Sequence, residues 1–134
     1  MRGLRLTPIS GRNEERLNQT FEQLEKGEHQ KIIADLNSED EIKKLVDTFE
    51  GIDGLVNAAG IVQPFPVKHI KRKQIDTMFN INYFSIVLLC AQLLKQKKIH
   101  DNASVVFISS ISSYSKVLLY TSIAALVPEY KAPP

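Results

Sequence analysis

Asp53-Gly54-Leu55-Val56-Asn57-Ala58-Ala59-Gly60 is the stretch whose reading decides the fold of this chain. It carries a short apolar strand pattern, residues 52–56, into a small-residue turn that holds one amide and ends in glycine. Gly60 has no Cβ, so such a turn lets a backbone or a ligand approach closely at the end of a strand, although a simple strand-to-loop turn uses the same chemistry. Upstream, Ser38 and Glu41 have the spacing of a capping box, and Ile42, Leu45, Val46 and Phe49 recur as one helical face. Before that helix, residues 29–34 read as a strand running into Asp35-Leu36. Earlier still, residues 4–10 read as a strand that contains Pro8, a poor residue for a central strand, and ends at Gly11-Arg12. Asn13 is placed to cap a helix carrying Leu17, Phe21 and Leu24, with Gly27 as its stop.

Downstream of Gly60 the prolines at 64 and 66 demand a loop. One long helix is then predicted, with a stripe of Ile75, Phe79, Asn82, Ile86, Leu89 and Leu93 and with Lys95, Lys97 and Lys98 near its C-terminus, where the helix dipole favours cations. Residues 104–110, Ser-Val-Val-Phe-Ile-Ser-Ser, form a fourth strand. Strands that alternate with helices pair in parallel, because each right-handed crossover returns the chain to the same end of the sheet. Gly11-Arg12, Asp35, Asn57 to Gly60 and Ser109-Ser110 therefore gather at the carboxyl edge, where open α/β sheets bind ligands.

Composition narrows the function classes. The chain has 134 residues, 43% hydrophobic and 24% charged, which suits one globular domain and leaves no room for a second. Its net charge is +2, it has no Trp, and it shows no aromatic and basic stripe, so nucleic acid is not an expected partner. The longest apolar-rich stretch, residues 117–127, is broken by Tyr120, Thr121 and Ser122 and is too short to span a bilayer, so no membrane partner is expected. The lone Cys90 and the lack of an apolar leader in residues 1–10 fit a reducing cytoplasm, and His29, His69 and His100 lack the spacing of a metal site.

The Asn57-Ala58-Ala59-Gly60 turn resembles the Asn-Asn-Ala-Gly signature of the short-chain dehydrogenase/reductase family, with Ala58 for the second Asn. Gly11-Arg12 resembles the end of the family's second strand, and Asp35-Leu36 the end of its third. Phe79-Asn80-Ile81-Asn82 resembles the family's long-helix Asn motif, and Phe107-Ile108-Ser109-Ser110 the strand ending at the catalytic Ser. The likeness covers residues 10–113, and its nearest look within the family is to bacterial 3-oxoacyl-carrier-protein reductases. It implies an α/β, Rossmann-like doubly wound parallel sheet that transfers a hydride between a nicotinamide cofactor and a small carbonyl or alcohol, an acyl-carrier-protein thioester among the candidates.

The resemblance gives each residue a role, and each role has a rival. Arg12, beside Gly11 where NAD-preferring members place an Asp, favours NADP(H) over NAD(H), since a guanidinium grips a 2′-phosphate; it also reads as an ordinary loop Arg. Asp35, with Leu36, resembles the residue facing the adenine ring, or is a carboxylate at the opening of the next helix. Asn57, Ala58, Ala59 and Gly60 would lie against the cofactor. Asn82 interrupts an apolar stripe and needs a polar partner or water; the family's Asn holds a water in the proton relay, while a locally satisfied core Asn is the alternative. Ser110 resembles the residue that bonds the substrate carbonyl, with Ser109 and Ser112 as rivals in register. Lys68, Lys71, Arg72 and Lys73 read as a solvated helix start or as a surface for an acidic carrier protein.

Two family elements are missing from these 134 residues. The fingerprint T-G-x-x-x-G-x-G appears nowhere among glycines 3, 11, 27, 51, 54 and 60, and no Tyr is followed four residues on by Lys. The resemblance places the fingerprint and its strand upstream of residue 1, which makes this a partial domain with little or no activity of its own. A non-catalytic nucleotide-binding or interaction protein and an inert fragment are the alternatives. In a sheet of order 3-2-1-4-5 the missing strand leaves a slot, to be filled by residues 117–127, by direct pairing of the flanking strands, or by another chain. The family's homo-oligomers are not expected of such a chain, which should aggregate or be partly molten.

Overall fold

The structure is a computed structural model that describes residues 7–62 and 67–109. Its elements run β1 (Thr7–Gly11), α1 (Glu14–Glu22), β2 (His29–Ile33), α2 (Glu39–Asp47), β3 (Ile52–Asn57), a short turn (Val67–His69), α3 (Arg72–Phe79), a π turn (Asn80–Phe84), α4 (Ser85–Lys95) and β4 (Ile99–Phe107). The expected alternation of strands and helices is present. β1 pairs in parallel with β2, and β3 with β4, as two separate two-stranded sheets.

Local chemistry explains the helix starts. The Asn13 side chain accepts from the Arg16 N–H at 2.8 Å and opens α1. Ser38 Oγ accepts from the Glu41 N–H at 3.3 Å and opens α2. The predicted capping box is only half formed: the Glu41 carboxylate accepts from the Asp35 N–H at 2.7 Å, while the Ser38 N–H goes to the Asp35 carbonyl. Glu41 thus ties α2 to the end of β2 instead of to its own cap.

The core is one cluster of Ala34, Ile42, Leu45, Val46, Leu89 and Leu93, with Ile32, Leu36, Ile52, Leu55 and Ile99 packed against it. Ile42 and Val46 are 0% exposed and Leu93 is 1% exposed, so each contributes roughly 1.5–3 kcal/mol of burial. α2 and α4 pack together, and the cluster reaches both sheets. α1 lies on the other face: Lys31 meets Asn18 and the Phe21 ring, and Ile32, the next residue along β2, packs against the α2/α4 core.

These faces determine the strand order. A right-handed crossover with its helix on one face moves the chain one way across the sheet, and a helix on the opposite face moves it the other way. The chain steps from β1 to β2 under α1 and then returns past β1 under α2 to reach β3, with β4 beyond it. The order is β2, β1, then β3, β4. β1 and β3 are the inner strands, yet no ladder joins them and they do not approach each other as neighbours do. Direct pairing of the two flanking strands is therefore not how the slot is closed, and residues 117–127 lie outside the described residues.

Two segments depart from the sequence reading. β4 begins at Ile99, five residues before the predicted 104, because Ile99 pairs with Ile52 across an irregularity between Ile52 and Gly54. Asn102 takes φ 64° there, a left-handed conformation that Asn tolerates, and His100 Nδ1 lies 3.0 Å from Asp53 Oδ1 across the pair. The long helix is interrupted by the π turn, in which the Ser85 N–H bonds the Asn80 carbonyl five residues back. Met78, Ser85, Leu89 and Leu93 are its buried residues, so burial in the first half falls one residue before the predicted Phe79 and Ile86. By length and composition Arg72–Lys95 could cross a membrane. Leu89 and Leu93 spend one side of that apolar content on the core.

Candidate functional site

Within each ladder the carboxyl ends lie side by side, β1 with β2 and β3 with β4, because both ladders are parallel. At the first, Gly11 closes β1 by accepting from the Ala34 N–H at 3.2 Å, and Arg12 follows it, exposed. Among the described residues no ion pair holds the Arg12 guanidinium. At the second, Asp35 Oδ1 accepts from the Asn37 N–H at 3.0 Å and from Asn37 Nδ2 at 2.8 Å. One carboxylate oxygen is thus committed to the turn that opens α2. Leu36 is half-buried against the core.

The third strand end is the most constrained. Asn57 is 5% exposed; its Oδ1 accepts from the Ala59 N–H at 3.0 Å, and its Nδ2 is a buried donor with no partner among the described residues. Leaving such a donor unmet costs roughly 1–3 kcal/mol. Ala58, Ala59 and Gly60 are exposed beside it. A Cβ added at Gly60 would meet Asn82 Oδ1 at 3.5 Å, an ordinary contact, so the chain's own packing does not require glycine there.

Asn82 turns inward from the π turn and clamps the loop after Gly60. Its Oδ1 accepts from the Ile61 N–H at 2.8 Å and its Nδ2 donates to the Ile61 carbonyl at 2.9 Å. The polar partner that its place in an apolar stripe demands is thus the backbone of one residue. The turn that displays Asn82 has its own support, since the Ile81 carbonyl receives the Ser85 hydroxyl at 2.7 Å. Neither Ile61 nor Ser85 was singled out from the sequence. Ile61 takes part through its main chain, which leaves no side-chain signal, and Ser85 reads as one more small residue in an apolar helix.

At the fourth end, Ile108 donates to the Asn57 carbonyl at 2.9 Å and Ser109 is exposed. Ser110, like Ser112, lies outside the described residues. Lys68, Lys71, Arg72 and Lys73 are exposed, with Arg72 bonded to Asp76 at 2.7 Å. Among the described residues no group of His, Cys, Asp and Glu has the arrangement of a metal site. Cys90 is half-buried on α4, and burial raises its thiol pKa above the ordinary value.

The strand ends thus carry one guanidinium with no ion pair among the described residues and one carboxylate committed to its own turn, and the Asn82 amide holds the loop after Gly60. The sequence offers no glycine-rich cradle for the pyrophosphate.

Comparison with known proteins bears on the fold and the family. A glucose 1-dehydrogenase of Gluconobacter oxydans is 31% identical over 94 residues, 65% of this chain and 35% of that protein. The uncharacterized oxidoreductase YvaG of Bacillus subtilis is 31% identical over 107 residues, 76% of this chain and 40% of its own. A solved short-chain dehydrogenase/reductase of Brucella melitensis, described as a glucose/ribitol dehydrogenase, aligns with a TM-score of 0.72 at 27% identity over 80% of this chain and 47% of that one. The chain thus spans well under half the length of the curated relatives it matches. The family profile described as short chain dehydrogenase matches residues 2–125, a span wider at both ends than the 10–113 marked by the motifs. With that profile covering most of its length, the chain belongs to the short-chain dehydrogenase family.

Proposed function

We propose that these 134 residues form the adenosine-side half of an NADP(H)-dependent oxidoreductase that reduces a carbonyl, and that they do not turn over substrate alone. The observation that carries this reading is Arg12: exposed, without an ion pair among the described residues, and first in line after β1 at the carboxyl end of that strand. A guanidinium there meets a 2′-phosphate with paired hydrogen bonds, where a carboxylate would meet a ribose hydroxyl. Asp35, Leu36 and the 57–60 turn line the adenine side. The cofactor supplies hydride chemistry when bound; this chain's part is to hold and orient, with Asn82 fixing the loop at Ile61 and Ser110 proposed to orient the carbonyl.

The substrate proposed is a 3-oxoacyl thioester delivered on an acidic carrier protein, which the exposed Lys68, Lys71, Arg72 and Lys73 suit. One relative is a glucose 1-dehydrogenase, so a sugar hydroxyl is the competing class. The half-buried lone Cys90 suits a reducing cytoplasm. Calorimetric titration tests the cofactor reading: NADP+ should bind more tightly than NAD+, and Arg12→Ala should erase the difference. Equal affinities in the parent chain would overturn it. Thioester-dependent or glucose-dependent turnover by the 134-residue chain at the rate of a full-length relative would overturn the half-site reading.

A further inference from the structure

Asp35 leaves the end of β2 beside Arg12 at the end of β1, since the two strands run parallel and the Gly11 carbonyl accepts from the Ala34 N–H at 3.2 Å. Its backbone is fixed from both directions. The Asp35 N–H donates to Glu41 Oε2 at 2.7 Å, and its carbonyl accepts from the Ser38 N–H at 3.0 Å. Its Oδ1 accepts twice from one residue, from the Asn37 N–H at 3.0 Å and from Asn37 Nδ2 at 2.8 Å. The torsion that turns a carboxylate about its stem is otherwise broad, so two bonds to a single oxygen hold the plane of the group as well as its position. What is left over is Oδ2 and, on the next residue, the Leu36 N–H. Neither has a hydrogen-bond partner among the described residues.

That remainder has a polarity. A carboxylate oxygen only accepts and a peptide N–H only donates, so the pair suits an edge that sets a donor beside an acceptor. A 6-amino purine has such an edge, with the N6 amino group next to N1. A 6-oxo purine reverses both, since O6 accepts and N1 donates. Against a carboxylate that is free to turn toward water the reversal costs little. Against one that Asn37 tethers, the held oxygen has no way to yield to O6, and the wrong base is penalised.

We propose that Asn37 is a specificity-determining residue of the adenosine side: by tethering Asp35 Oδ1 it holds Oδ2 in place, and so sets how strictly a 6-amino purine is chosen over a 6-oxo purine. Asn37 acts through Asp35 and is a positioning residue, while Glu41 fixes the backbone on which Asp35 stands. The Asn37 N–H would remain with any side chain except proline; the amide adds the second donor, which alanine lacks. This inference rests on the cofactor reading above, in which Asp35 and Leu36 line the adenine.

The test titrates the full 134-residue chain with NADP+ and with its 6-oxo analogue, deamino-NADP+, and follows the Leu36 amide by NMR. The parent chain should bind NADP+ about tenfold more tightly or better. In Asn37→Ala that ratio should fall by about threefold or more, with NADP+ weakened and the deamino form unchanged or strengthened. Asn37→Ser, whose hydroxyl donates to Asp35 Oδ1 in the manner of such turns, should keep the larger part of the parental ratio. A merely structural loss in Asn37→Ala would weaken both nucleotides alike and leave the ratio where it was, which would overturn the inference. So would a parent chain that binds both equally, or an Asn37→Ser ratio as low as that of Asn37→Ala. Those three results leave the cofactor reading standing, because NADP+ still binds. A parent chain that binds neither nucleotide overturns that reading and this inference together.

Discussion

Replacing Asn82 by Ala removes both hydrogen bonds that hold Ile61, one of 2.8 Å and one of 2.9 Å. Each is half-buried, and a net contribution of about 1 kcal/mol apiece makes the clamp worth about 2 kcal/mol. At 1.4 kcal/mol per tenfold, local opening at Ile61 should rise by about 30-fold. Native-state hydrogen exchange of the Ile61 amide reads this directly and does not require the whole chain to unfold as one unit. Asn82→Asp sharpens the test. A carboxylate still accepts from the Ile61 N–H but sets its second oxygen against the Ile61 carbonyl, so at neutral pH protection should fall nearly as far as in the Ala variant. Below about pH 4 the protonated Asp regains a donor, and protection, corrected for intrinsic rates, should recover. If the Ala variant exchanges like the parent, or if the Asp variant ignores pH, the clamp contributes nothing and Asn82 is held by other means.

Leu93→Ala, at a position 1% exposed in the α2/α4 core, should cost about 2–5 kcal/mol and lower the helical signal read by circular dichroism; a spectrum and thermal response unchanged from the parent would show that the core does not bear on stability there. Cys90, its thiol pKa raised by burial, should be alkylated more slowly than a free thiol at pH 8. Its rate should still be climbing at pH values where a model thiol has levelled off; a curve matching the model thiol would contradict the placement on α4.

What could be read from the sequence was local. Asn13 and Ser38 announce α1 and α2 because a cap is made within four residues, and Ile42, Leu45 and Val46 show their face by spacing alone. The parallel layout followed from alternation, and with it the placing of Arg12 beside Asp35 at the ends of β1 and β2. Tertiary bonds stayed hidden. Ile99 to Asn102 look like a polar turn until Asp53 supplies a partner for His100 and Ile52 one for Ile99. The Asn82 clamp depends on a side chain meeting a backbone 21 residues away, and Glu41 has two equally plausible N–H partners of which the sheet selects the farther. At the site, the bland reading of Asp35 gained the most ground, since one of its oxygens is engaged with Asn37.

The π turn also sets the rotational phase of everything after it. One residue is worth about 100° of helix, and the π turn holds one residue more than an α turn, so deleting any one of residues 80–84 and letting the coil close to regular α geometry would leave the following segment nearly in phase. Leu89 and Leu93 would still meet α2, and the interior would lose little. The loop at Ile61 has no such reserve, since a deletion moves the Asn82 amide that holds it. Natural indels in this helix should therefore be filtered by the loop and not by the core.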